Sequence, residues 1–263
     1  MLFPRASALA PVIDLESTVS TNDEVLARAP GADEFLIVAT TTQTGGRGRL
    51  GREWVAPPRQ TLAASVLLRP RDSAGVAVPL DRWGWVPLMA GLAMSRAVDG
   101  VLPSPRAALK WPNDVLIAER KVCGILAEML PTGDGVVVGA GVNLTLAPDA
   151  LPTPTSTSLA IEGAVGDVDA LADAVLATWI IEFSRLYLPF AAAGGEARAS
   201  GVRSRIVASC DSIGRPVRVV LPDGSELRAD AVDIDDTGRL VVELSNGSRQ
   251  SVAAGDVTHL RYE

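Results

Sequence analysis

Between residues 41 and 54 the chain reads TTQTGGRGRLGREW, with Gly45, Gly46, Gly48 and Gly51 interleaved with Arg47, Arg49 and Arg52. Glycine opens positive φ and lets backbone N–H groups come close to a ligand. Arginine adds planar, permanently charged forks that match phosphate or carboxylate oxygens. A loop of this kind is suited to folding over an anion. It carries neither the Walker pattern G-x-x-x-x-G-K-[ST] nor the dinucleotide pattern G-x-G-x-x-G. The plainer reading is a solvated RGG-like loop.

Other polar groups fall at strand ends or in loops: Ser20, Thr21 and Asn22; Gln43; Lys110-Trp111-Pro112-Asn113-Asp114; Lys121 with Gly124; and Asn143. Taken singly they are ordinary. Ser20 and Thr21 suit a helix cap, with Thr21 and Glu24 at capping-box spacing, Asn113-Asp114 suits a turn, and a lone lysine is usually a solvated one. Together they supply cations, amides, one carboxylate and flexible glycines, which suits a nucleotide phosphate and a neutral polar heterocycle. They do not supply a nucleophile–base pair, so covalent catalysis by the protein is not expected. The chemistry that fits is electrostatic: holding phosphates with Mg²⁺ and stabilising charge at a phosphorus or acyl centre.

The elements that must position these groups follow from periodicity and breakers. Residues 35–40 (FLIVAT) and 61–69 (TLAASVLLR) read as buried strands joined by the Gly/Arg loop, whose tip is expected to be free to move. A helix is predicted after Thr21, and another over 80–98, where Trp83, Trp85, Met89 and Met94 are assigned to the core rather than to a cofactor. Residues 107–111 form a strand that Pro112 stops. A hairpin turning at Glu119-Arg120 joins 115–118 to 121–129, and 136–143 (VVVGAGVN) is a further buried strand. Residues 147–166, rich in Pro, Thr and Ser, read as a surface loop, 168–189 as a long helix, and 191–195 as a break before a short helix to about 208. Five short strands then follow, at 217–221, 226–234, 240–244, 248–252 and 257–262, with Asp223-Gly224, Thr237-Gly238 and Asn246-Gly247 at the turns. The expectation is an α+β protein, with a catalytic domain over 1–210 and a small β-barrel domain over 211–263.

The bulk properties narrow the function. A 263-residue chain that is 48% hydrophobic and 21% charged can bury a substantial core. Its net charge of −7 argues against a general nucleic-acid or membrane-surface binder. Two cysteines, Cys123 and Cys210, and one histidine, His259, build no disulfide framework, no Cys/His zinc site and no convincing Ser-His-Asp triad. No signal-peptide pattern opens the chain and no run of 18 uninterrupted apolar residues occurs, so a cytoplasmic setting is expected.

The segments GGRGRLGREW, KWPNDV, RKVCGILAE and VVVGAGVNL, in this order and at these separations, resemble the signature set of biotin protein ligases. The resemblance runs from about Thr18 to the C-terminal barrel. It implies a class II synthetase-like mixed β-sheet flanked by helices, followed by an SH3-like barrel. It also implies formation of biotinoyl-5′-AMP from biotin and ATP with Mg²⁺, and transfer to a lysine of the biotin carboxyl carrier domain of an acyl-CoA carboxylase. On this resemblance Ser20, Thr21, Asn22, Gln43, Arg47, Gly48, Arg49, Lys121 and Gly124 match biotin-facing positions. Arg47, Arg49, Arg52, Trp54, Lys110, Asn113, Lys121 and Asn143 match positions on the ATP or adenylate side. Lys121 and Arg49 are the expected charge stabilisers, and Asp114 the expected base. No protein-built metal site is expected, and the chain is expected to be a monomer or weak homodimer. Regulatory relatives carry an operator-binding helix-turn-helix, and the 17 residues before the Thr18 match are too few for one, so no repressor role is expected. Cys123 is expected to be a buried structural thiol. The alternatives are a lipoate–protein ligase and a non-catalytic nucleic-acid binder using the Gly/Arg loop.

Overall fold

In the computed structural model, which describes residues 2–54, 57–220, 225–252 and 259–262, the chain opens with a one-turn helix α1 (Pro4–Ser7) and a short strand β1 (Val12–Asp14). Helix α2 (Thr21–Arg28) and strand β2 (Ile37–Thr40) lead into a small hairpin, β3 (Gly46–Arg47) and β4 (Glu53–Trp54). Next come β5 (Thr61–Leu68), α3 (Trp85–Asp99), β6 (Ala107–Lys110), β7 (Asp114–Ile117), β8 (Arg120–Met129) and β9 (Val136–Asn143). Helices α4 (Val168–Ala192) and α5 (Val202–Ser209) precede β10 (Pro216–Val220), β11 (Glu226–Ile234), β12 (Leu240–Glu243), β13 (Arg249–Val252) and β14 (His259–Tyr262).

Seven strands form one mixed sheet in the order β1-β2-β5-β9-β8-β7-β6, in which only the β1–β2 pair is parallel. The period of two along the central strands sorts the side chains onto two unlike faces. Leu62, Ala64, Val66 and Leu68 of β5 join Val136, Val138, Ala140 and Val142 of β9 on the face covered by α3 and α4. On the other face α2 covers one end, packing Val25 and Ala29 against Val38, Leu67 and Val137. The rest of that face carries no helix, and it is where the polar residues gather.

Helix α4 is 25 residues long and apolar enough in composition to span a bilayer, yet it is a core helix. Leu171, Val175, Leu176, Trp179, Ile180, Phe183 and Leu186 are all buried, Trp179 stacks on Phe183 at 5.6 Å between ring centroids, and its Nε1 donates to the Ala90 carbonyl of α3 at 3.0 Å. Trp85, Met89 and Met94 are fully buried as expected, and Trp83 packs on the same core.

The five C-terminal strands form an antiparallel sheet in the order β13-β12-β11-β10-β14. The described pairings join the five strands in a row from β13 to β14. The expected Asp223-Gly224 turn and residues 257–258 lie outside the described residues. This sheet leans on the larger one through its β11–β12 turn. Trp85 Nε1 donates to the Asp236 carbonyl at 2.9 Å and Trp111 Nε1 to the Gly238 carbonyl at 3.1 Å.

Several local expectations are corrected. The N-cap of α2 is Ser20, whose hydroxyl accepts from the Asp23 N–H at 3.3 Å, while Glu24 binds the Thr18 hydroxyl and Arg28 and forms no capping box with Thr21. The β7–β8 turn is Ala118-Glu119, both at positive φ as a two-residue hairpin with matching twist requires. The 147–166 segment is not wholly a surface loop: Ser156, Thr157, Ser158 and Leu159 are buried, and Ser156 bridges to Lys121 in parallel register. The 41–54 loop is a hairpin rather than an open coil, pairing Gly46 with Trp54 and Arg47 with Glu53.

Candidate active site

The helix-free part of the sheet, α2, the β3–β4 hairpin and the 152–156 segment enclose a cavity of about 420 Å³. That volume lies within the range of small-molecule sites. Every candidate residue drawn from the sequence lines it except Asn143. Asn143 is buried just behind the wall, where its Nδ2 donates to the Thr157 carbonyl at 2.9 Å.

One irregularity in β8 decides where Lys121 points. Cys123 and Ile125 face the α3 side, so strict alternation would send Lys121 into the same apolar core. Val115 pairs with Cys123, however, and the next residue, Leu116, pairs with Lys121. Val122 is therefore an extra residue, a β-bulge that shifts the phase. Lys121 emerges on the polar face beside Gly124, with its Nζ 2.6 Å from Asp114 Oδ1 and 5.9 Å from the centre of the Trp54 ring. Asp114 stands directly opposite Gly124 in the β7–β8 ladder, which fixes the carboxylate beside the amine.

The cavity has two chemically distinct ends. At one, Thr21 N–H donates to Gln43 Oε1 at 2.8 Å, and the Ser65 hydroxyl of β5 lies 2.7 Å from the Thr21 hydroxyl and donates to Asn22 Oδ1 at 2.6 Å. Asn22 Nδ2 continues the chain to Glu128 at 2.5 Å. Ser20, Thr21, Asn22 and Ser65 are buried and Gln43 is half-buried, so these groups can read a neutral polar group with definite donors and acceptors. At the other end lie Lys110, Asn113, Asp114, Lys121 and Trp54. Burial pulls the Lys110 ammonium below its ordinary value, and Lys121 adds to this while Asp114 opposes it. Arg49 is also lowered by burial, with Asp114 opposing. Two cations that burial disfavours, beside a third, form a site that favours an incoming anion.

The hairpin carrying Arg47, Arg49 and Trp54 is fastened at three points. Arg47 binds Asp23 in a bidentate pair at 2.6 and 2.7 Å and reaches Glu128 at 3.2 Å. Arg49 Nη1 donates to Asn113 Oδ1 at 3.1 Å, and the Asn113 amide is itself held by the Ile125 carbonyl at 3.0 Å. Trp54 lies on β8 and β9 where Gly124 and Gly141 lack side chains: a Cβ on Gly141 would stand 2.6 Å from the indole Cε2. The Arg47 guanidinium holds the Asp23 carboxyl below the usual carboxylate range. The latch is therefore complete at and above that range and opens only as pH falls below it.

Sequence reasoning did not single out Asp23, Glu128, Ser65, Gly139, Gly141 or the 152–156 wall. Gly139 and Gly141 had a usable signal, since two glycines spaced by two share one face of a strand. Asp23 and Glu128 had none, because a first-turn acid and a strand acid look solvated until the lid arginine is placed between them. Cys123 is fully buried and burial pushes its thiol well up, which makes it inert.

Residues 10–143 match the model of the biotin/lipoate A/B protein ligase family, and residues 212–260 match that of the biotin protein ligase C terminal domain. The chain is 39% identical over 248 residues to the biotin–[acetyl-CoA-carboxylase] ligase of Mycobacterium tuberculosis, covering 93% of this chain and 87% of the relative. It is 36% identical over 257 residues to the enzyme of the same name from Paracoccus denitrificans, covering 92% and 98%. The biotin protein ligase of Aquifex aeolicus, solved with biotin and ATP, shares the fold at a TM-score of 0.73 and 24% identity, covering 96% of this chain and 99% of that one. The chain belongs to the biotin protein ligase family.

Proposed function

We propose that this chain joins biotin to ATP, forming biotinoyl-5′-AMP and pyrophosphate, and then passes the biotinoyl group to a lysine of the biotin carrier domain of acetyl-CoA carboxylase, releasing AMP. The observation that carries the reading is one cavity in which a hydroxyl-and-amide end meets a cationic end beneath an arginine-bearing lid. Biotin's ureido group takes the end made by Ser20, Thr21, Asn22 and Gln43, next to Arg47 and Gly48. The nucleotide takes the end made by Arg49, Arg52, Trp54, Lys110, Asn113 and Lys121, with Asn143 supporting it from behind. Gly124 lets the acid lie against β8, close to Lys121.

In the first step a biotin carboxylate oxygen attacks the α-phosphorus, and the bond to pyrophosphate breaks. Lys121 and Arg49 stabilise the charge that builds on the phosphoryl oxygens. Mg²⁺ fits as a passenger on the triphosphate. Asp114 and Glu53 are the carboxylates on the cavity wall, and no group of three or more His, Cys, Asp or Glu ligands forms among the described residues. Bound there, it would neutralise phosphate charge. In the second step the carrier lysine attacks the acyl carbon, its proton passes to a base, and the bond to AMP breaks. We assign the base to Asp114. An Asp114→Asn chain given preformed biotinoyl-AMP is expected to transfer about 10²-fold more slowly; transfer at the parent rate removes the assignment.

The lid's task is to retain the intermediate between steps. The Arg47–Asp23 pair is half exposed, and such pairs contribute roughly 0.2–1 kcal/mol. Asp23→Asn is therefore expected to speed adenylate release about 2- to 5-fold, measured by trapping labelled biotinoyl-AMP in solution. Retention in the parent should stay level from neutral pH down to the carboxylate range.

The reading treats residues 1–210 as the catalytic domain and 211–263 as a β-barrel domain. It takes the chain as a cytoplasmic monomer or weak homodimer without nucleic-acid or membrane partners, and the −7 net charge supports the absence of those two partners. Biotin-dependent ATP/pyrophosphate exchange on the purified chain tests the whole scheme. Exchange that follows lipoate and ignores biotin would overturn it in favour of the sister activity.

A further inference from the structure

Glu162 lies outside the cavity wall, yet its side chain is only 2% exposed and carries three polar partners. Arg106 reaches Oε2 at 2.6 Å, Arg120 reaches Oε1 at 2.5 Å, and the Thr157 hydroxyl donates to Oε1 at 2.7 Å. A buried carboxylate is stable only when its oxygens are satisfied in this way. Two of these partners sit on opposite sides of one backbone junction. Arg120 immediately precedes Lys121, and Thr157 belongs to the segment that pairs with it. Lys121 N–H donates to the Thr155 carbonyl at 2.8 Å, and Thr157 N–H donates to the Lys121 carbonyl at 2.9 Å. This parallel bridge to Ser156 is isolated, with no neighbouring pair along the 153–157 segment, while the other edge of Lys121 is held by Leu116 in the β7–β8 ladder. The same Thr157 offers its carbonyl to Asn143, and its neighbours Thr153, Thr155 and Ser156 line the cavity.

We propose that Glu162 is a positioning residue for the adenylation step, a clip that closes the Lys121–Ser156 bridge and so fixes the main chain of Lys121 and the 153–157 wall. One carboxylate oxygen holds both strands of the bridge, so their separation is set by its two hydrogen bonds. The hydroxyl-and-amide end rests on α2, Gln43 and β5 and makes no contact with the clip. Loss of the clip is felt at the nucleotide end alone. The inference rests on the reading of Lys121 as the charge stabiliser, so it is tested by one kinetic and one non-kinetic measurement.

Glu162→Gln keeps the volume and removes the charge, and Thr157→Val removes only the hydroxyl link and leaves both arginine pairs in place. In ATP/pyrophosphate exchange, Glu162→Gln is expected to lower kcat/KM for ATP about 10-fold or more, the usual effect of losing a hydrogen bond to a charged group, with KM for biotin within about twofold of the parent. Thr157→Val is expected to shift the same quantity in the same direction by about threefold. Hydrogen exchange at the Lys121 and Thr157 amides is expected to quicken about 10-fold in Glu162→Gln while the amides of α2 keep the parent rate. Parent-like exchange at both amides in both variants overturns the clip, whatever the catalytic result. Equal losses for biotin and ATP also overturn it, since they would mark a general loss of stability. Absence of biotin-dependent turnover in the parent would instead sink the proposed reaction, and the amide measurement would still decide the clip.

Discussion

Replacing Lys121 with alanine slows adenylate formation by about 10²–10³ while nucleotide binding changes by only a few-fold. The size follows from what the amine does and where it sits. Removing one preorganised donor from a developing oxyanion typically raises the barrier by about 3–4 kcal/mol, because the donor is worth more in the transition state than in the ground state. Ground-state binding falls less because Arg49, Arg52 and Lys110 line the same end of the cavity. The fold should survive. Asp114, the partner left behind, has a side chain that is 26% exposed, and its buried Oδ1 faces the space that the lysine side chain vacates, where water from the cavity can reach it. Single-turnover formation of labelled biotinoyl-AMP, with a parallel binding titration, separates the two effects. A variant that forms the intermediate at the parent rate excludes Lys121 from the chemistry.

Gly141→Ala lowers kcat/KM for ATP about 10²-fold, the scale expected when a catalytic group is misplaced by about an ångström. The backbone at Gly141 has no positive φ, so alanine is not strained there. The new Cβ would meet the Trp54 indole at 2.6 and 2.8 Å from Cε2 and Cζ2, and real Cβ contacts are not that short. Something must move. The β8–β9 ladder is long and central, whereas the lid hairpin pairs two residues per strand, so the lid is what gives way. Displacing Trp54 draws Arg49 away with it. Gly139→Ala, two residues earlier on the same face, collides with Asn22 instead, and its loss is expected in KM for biotin. Steady-state exchange with each substrate varied in turn distinguishes the two ends. Parent-like kcat/KM for ATP in Gly141→Ala would show that the lid does not need its glycine seat.

Much of the frame was legible because burial and periodicity coincide in it. Helix α4 was readable from Leu171, Val175, Trp179 and Phe183, and β9 from an unbroken apolar run ending in Asn143. The motif residues could be gathered from resemblance alone, and the cavity does contain nearly all of them. What stayed hidden depends on pairing between distant segments. Nothing in RKVCGILAE marks Val122 as a bulge, and a regular strand would have put Lys121 and Gly124 on opposite faces. Ser156, Thr157 and Ser158 read as loop residues because their polarity gives no signal of burial. They become interior only when Lys121 and Glu162 supply their partners. The Arg47 latch is of the same kind, since Asp23 lies 24 residues away and Glu128 lies 81 away.

Both cysteines lie in the interior, Cys123 wholly and Cys210 nearly so, and burial raises both thiols. At neutral pH neither presents a thiolate at the surface to an alkylating reagent. Leu50, by contrast, stands 58% exposed at the tip of the lid. A thiol introduced there by Leu50→Cys is the one that a maleimide dye would find in the folded chain. The native enzyme thus comes with a silent background for fluorescence labelling, and opening and closing of the hairpin can be timed directly without first removing any of its own sulfur.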